Sequence, residues 1–77
     1  MKKLVVDVHG ASPTKCYCVD SGNKNTSRLI REIKPGLTAE RLKEEINKTK
    51  ENIKADEVCY DIPPGASGQI YRHVLLK

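Results

Sequence analysis

Apolar and polar positions alternate from the start of the chain, where Leu4, Val6 and Val8 are set against Lys3, Val5, Asp7 and His9. A period of two is the signature of a half-buried strand, so a first strand is predicted that ends at Gly10. Ala11-Ser12-Pro13 is a turn, because proline fixes its own φ and biases the residue before it to extended geometry. A second strand follows over Thr14 to Asp20, rich in aromatic and β-branched residues. Ser21-Gly22-Asn23-Lys24-Asn25 is a loop tip built from residues that tolerate left-handed backbone.

Two readings compete for Ser27 to Lys34. Leu29, Ile30 and Ile33 fit a helical stripe behind a Ser27 cap. A strand puts Leu29 and Ile33 on one face with Arg31, an awkward fit, yet it closes a hairpin with Cys16–Val19 and suits the length of the segment. The strand is preferred, and Pro35-Gly36 ends the element either way.

The central helix has the clearest signals. Thr38 is a good N-cap, and Leu37 before it can staple to Leu42. Leu42, Ile46, Thr49 and Ile53 recur at spacings of four, three and four, which makes one narrow buried stripe. The remaining faces carry Glu40, Glu44, Glu45 and Glu51 against Arg41, Lys43, Lys48, Lys50 and Lys54. After Ala55-Asp56 a strand is predicted over Glu57 to Ile62, with Val58, Tyr60 and Ile62 on one face. Pro63-Pro64-Gly65-Ala66-Ser67-Gly68 reads as a loop. A last strand is predicted from Gln69 to Leu76, with Ile70, Val74 and Leu76 on one side and Tyr71, His73 and Leu75 on the other. Apolar residues on both faces place that strand inside the sheet.

The predicted fold is therefore α+β: a small, mostly antiparallel sheet of β-β-β-α-β-β order with one helix packed across it. It occupies residues 1–77 as a single domain. The run Glu32-Ile33-Lys34-Pro35-Gly36-Leu37-Thr38, a strand, a Pro-Gly turn and a capped helix, locally resembles the crossover of ubiquitin-like β-grasp domains. The C-terminal Gly-Gly tail used for conjugation is not in the sequence, so the resemblance bears on topology alone.

Composition narrows the class without naming a function. The 77 residues are 38% hydrophobic and 31% charged, which is ordinary globular usage. With no Trp or Phe, the aromatic share of the core falls to Tyr17, Tyr60 and Tyr71. The apolar run after Lys2-Lys3 stops at Asp7, short of a secretory signal's core, and no stretch approaches the roughly 20 residues that cross a bilayer. No membrane association is expected, and three cysteines, an odd count, agree with reduced thiols in the cytoplasm.

Net charge is +4, which favours anionic partners. Lys15, Lys24, Arg28 and Arg31 cluster around the second and third strands, and Lys43, Lys50 and Lys54 fall on one flank of the helix. A phosphate backbone could follow such a surface, with Tyr17 or Tyr71 stacking on bases. Cys16, Cys18 and Cys59, joined by His9 or His73, have the donor chemistry of a zinc site, but C-x-C on a strand is not the usual spacing. The competing reading is small buried thiols, and no cofactor is expected. Asp7, His9 and His73 are the acid–base candidates, and a core this small leaves little room for a catalytic pocket. The Pro63–Gly68 loop offers backbone N–H groups to an anion, but a phosphate loop opens a helix and this one is predicted to precede a strand. The favoured expectation is a non-enzymatic binding or accessory module. It acts on a protein partner or a second copy of itself, ahead of nucleic acid and of a small metal-dependent or hydrolytic enzyme.

Overall fold

The computed structural model describes residues 2–9, 11–20 and 27–76, with the Ser67 side chain excepted. Among them the chain forms strands β1 (Lys2–Asp7), β2 (Thr14–Asp20) and β3 (Ser27–Ile33), helix α1 (Ala39–Ile53), strand β4 (Glu57–Asp61) and helix α2 (Ala66–Leu75). The sheet order is β3-β2-β1-β4. β1 pairs antiparallel with β2, and β2 with β3, whereas β4 lies parallel to β1. The α+β class and the β-β-β-α-β order agree with the sequence. The predicted loop tip at Ser21–Asn25 lies outside the described residues.

One face of the sheet holds the core. Leu4, Val6 and Val8 of the first segment are fully buried, together with Cys16, and Leu42 and Ile46 of α1 close over them. The α1 stripe is the predicted one. Leu42, Ile46 and Thr49 are buried, Ile53 is half-buried, and Thr38 caps the helix by accepting from the Arg41 backbone N–H at 3.2 Å. At the other end Lys54 adopts left-handed backbone at φ 55°, which lets its N–H and that of Ala55 satisfy carbonyls of the last turn.

The ambiguous third segment is a strand, and a β-bulge removes its awkward parity. Cys16 pairs with Arg31 and Tyr17 with Leu29, which leaves Ile30 as the extra residue. Ile30 and Arg31 therefore both serve the α1 side, while Leu29 turns to the opposite face.

The predicted final strand, Gln69–Leu76, is instead part of α2. Its apolar residues come as two doublets, Ile70-Tyr71 and Val74-Leu75, around polar Arg72-His73, and that spacing of four winds onto a helix. Leu75 is buried and Tyr71 packs against the core, whereas Ile70 remains 64% exposed. Arg72 and His73 in the last turn also suit the helix dipole. The predicted Pro63–Gly68 loop is correspondingly shorter, and its second half is the first turn of α2.

Both helices thus lie on one face of the sheet, α2 against α1 and both against the buried cluster. The other face carries no element among the described residues.

Candidate functional site

The uncovered face is built by the odd-numbered positions of β1, β2 and β4 and, past the bulge, by Leu29 and Glu32 of β3. Leu29 stands opposite Tyr17, Tyr17 opposite Val5, and Val5 opposite Cys59. These four form a single apolar row across all four strands. None belongs to the buried cluster; Leu29 is 46% exposed and Cys59 is also exposed.

Charged rows border it. On one side Glu32, Lys15, Asp7 and Asp61 face one another across the sheet, three acids and one base. On the other side Val19, Lys3 and Glu57 continue the apolar-to-polar transition, and Lys3 Nζ lies 3.6 Å from Glu57 Oε1. In a protein of net positive charge, the acid-rich row is a local reversal of sign.

The predicted basic residues do not share a surface. Lys15 lies on the uncovered face, while Lys43, Lys50 and Lys54 belong to α1 and its cap on the covered side. Arg31 is engaged internally with α1, through Glu45 and Thr49. Lys24 lies outside the described residues. Arg28 and Lys54, far apart in sequence, do meet at the rim of one cleft at the C-terminal end of α1.

The three thiols are likewise divided. Cys16 is buried on the covered face, where burial pushes its thiol pKa up, and Cys18 is half-buried on the same face. Cys59 is exposed on the uncovered face. Tyr60, beside it on β4 but turned inward, also has its pKa raised by burial. Among the described residues no group of three or more His, Cys, Asp or Glu side chains gathers as a metal centre.

The acid–base candidates are only partly assembled. His9 Nε2 lies 3.2 Å from Asp7 Oδ2, and the His9 backbone N–H donates to Thr14 Oγ1 at 3.3 Å. His73 sits in the groove between the helices with Glu40 and Asn47.

The Pro63–Gly68 segment does open a helix, contrary to the expectation that it precedes a strand. A Cβ at Gly68 would stand 1.8 Å from the Pro63 carbonyl oxygen, and the same oxygen accepts from Arg72 Nη2 at 3.0 Å. The turn is thus folded onto its own helix, with a carbonyl against the first turn. The Ser67 hydroxyl lies outside the described side chains.

No helix among the described residues is long and apolar enough to cross a membrane. Comparison with known proteins adds no relative to this geometry, since no family model, no curated protein and no solved structure matches the chain.

Proposed function

We propose that the chain is a non-enzymatic protein-binding module that receives one amphipathic helix of a partner on the uncovered face of its sheet. The observation that carries this reading is the apolar row Leu29–Tyr17–Val5–Cys59 across all four strands. Both helices serve the same face of the sheet, so among the described residues this row has no covering layer of its own. Strand edges are the weaker candidates. β3 is bulged and carries Arg28 and Glu32, and β4 is five residues long with Glu57 and Asp61, the usual protections against edge pairing.

The size of the patch selects the occupant. Three strand spacings give a row about 14 Å long and, at one side chain per strand, about 7 Å wide, an area on the order of 100 Å² that is far below the roughly 800 Å² per partner of a standard globular interface. A single helix, about 10 Å across, matches it better than a second folded copy. Charge selects its flank: the Glu32, Asp7 and Asp61 border favours Lys or Arg beside the partner's apolar stripe. An exposed thiol in the row fits a reducing, cytoplasmic setting.

The test is a backbone-amide NMR titration of the full chain with two amphipathic helical peptides, one of Leu and Lys, the other of Leu and Glu. Saturable shifts at Val5, Tyr17, Val19 and Leu29 with the Leu/Lys peptide, weaker with Leu/Glu and abolished by Leu29→Glu, are expected. Shifts confined to other surfaces would overturn the reading. A concentration-dependent dimer through this same face would replace it with self-association.

A further inference from the structure

The cleft at the C-terminal end of α1 has a different chemistry from the uncovered face and lies on the opposite side of the sheet. Its volume is about 650 Å³, within the roughly 300–1,000 Å³ of small-molecule sites. Three cationic side chains stand at it: Lys2 from β1, Arg28 from β3 and the Lys54 cap of α1. Asp20 is the one carboxylate among the described lining residues. Half-buried Cys18, Ile30 and Ile53 supply an apolar floor.

A helix C-terminus by itself repels anions, because its last carbonyls carry partial negative charge. Here three of the last four carbonyls have partners. Ala55 N–H donates to the Lys50 carbonyl at 3.1 Å, and Lys54 N–H to the Glu51 carbonyl at 3.2 Å. Lys2 Nζ reaches the Ile53 carbonyl at 3.5 Å, which leaves that ammonium two further donors. The Arg28 guanidinium and the Lys54 ammonium have no ion-pair partner among the described residues. Two cations from separate elements, neither ion-paired among the described residues, line one cleft with a third over an apolar floor.

We propose that this cleft binds a small organic anion, a carboxylate or phosphate ester attached to an apolar group. The acid group is held by Arg28 and Lys54, with Lys2 behind them, and the apolar part lies on Ile30 and Ile53. Guanidinium recognition of such an oxyanion is bidentate and directional, so Arg28 sets the orientation of the ligand.

The experiment is an amide NMR titration of the full chain with phenyl phosphate, inorganic phosphate and benzyl alcohol. Phenyl phosphate is expected to give saturable shifts at Cys18, Arg28, Asn52 and Lys54, with tighter binding than either fragment. Loss of one charge-assisted contact through Arg28→Ala or Lys54→Gly weakens it about tenfold. Glycine is used at 54 because it removes the ammonium while suiting the left-handed backbone. Equal binding of benzyl alcohol, unsaturable shifts spread over surface lysines, or indifference to both variants would overturn the proposal. So would tighter binding of a short thymidine oligonucleotide whose shifts extend from the cleft along α1, because that pattern describes a phosphate backbone. Leu29→Glu, on the other face, is expected to leave phenyl phosphate binding unchanged, which keeps failure here separate from failure of the partner-helix reading.

Discussion

The Arg31 guanidinium of β3 donates to Thr49 Oγ1 of α1 at 2.9 Å, and the same nitrogen reaches the Glu45 carbonyl at 3.2 Å. Its second nitrogen pairs with Glu45 Oε1, and the Thr49 hydroxyl donates to the Glu45 carbonyl at 2.9 Å. One side chain thus straps the edge strand to the helix, and Thr49, though buried, is fully satisfied. Arg31 reads in the sequence as a member of a basic cluster for nucleic acid; in the fold it holds two elements together.

Removing that strap is expected to destabilise the domain. The Arg31 side chain is 38% exposed, so solvent screens its ion pair, and Arg31→Ala should lower stability mainly through the lost hydrogen bond to buried Thr49, by about 1 kcal/mol. Arg31→Lys should recover only part of it, since an ammonium lacks the fork that spans Glu45 and Thr49 together. Urea unfolding of the three proteins checks the order wild type, lysine, alanine. An unchanged midpoint in the alanine variant would mean that solvent replaces the strap at no cost.

Acid should loosen the same contact. Hydrogen bonding from Arg31 and then from Lys48 holds the Glu45 carboxyl below the ordinary glutamate range in the folded protein. A depressed folded value makes its contribution fully present above the unfolded pKa, about 4.3, and progressively lost as pH falls through the folded one. Stability should therefore decline from about pH 4 downward, and Glu45→Gln should flatten part of that decline. Thermal melts between neutral pH and pH 2 measure the difference between the two slopes.

Gly68→Ala is expected to act on α2 more than on the sheet. The new methyl group would collide with the Pro63 carbonyl, which is backbone and cannot step aside as a side chain would. Overpacking of this kind costs about 1–3 kcal/mol, enough to displace the helix start and weaken the seat of Tyr71 and Leu75. Hydrogen exchange should show lost protection across Ala66–Leu75, with β1 and β2 amides far less affected. Uniform loss throughout would mean that α2 is an integral part of the cooperative core.

Thiol labelling separates the two faces. Cys59 should react with a maleimide rapidly in the native protein and Cys18 more slowly, whereas Cys16, buried and with its thiolate disfavoured, should react only on unfolding. A partner helix seated on the uncovered face should protect Cys59 alone. Addition of zinc should change none of the three rates, and zinc-dependent protection of Cys59 together with Cys16 and Cys18 would contradict their placement on opposite faces.

Local periodicity carried much of the architecture. The stripe Leu42, Ile46, Thr49 and Ile53, the Thr38 cap and the Leu4–Val6–Val8 alternation are properties of neighbouring residues, and their burial follows directly from spacing. Residues 69–76 were less legible, because eight residues bearing apolar doublets satisfy a strand and a helix almost equally. The deciding term was the seat for Tyr71 and Leu75 against α1 and the core, which is a contact between distant parts of the chain.

The candidate sites depended wholly on such long-range terms. Sequence determined that Cys16 and Cys18 share a strand face, that Lys15 and Arg31 are cationic, and that the chain is basic overall. Only the tertiary structure decided which sheet face the helices cover, and hence that Cys16 is core while Cys59 and Tyr17 border solvent. Alternation is symmetric between the two faces of a strand until a second layer covers one of them. The bulge at Ile30 and the convergence of Arg28 with Lys54 arise the same way, from the register of β3 and the end of α1 meeting in space, which no local spacing encodes.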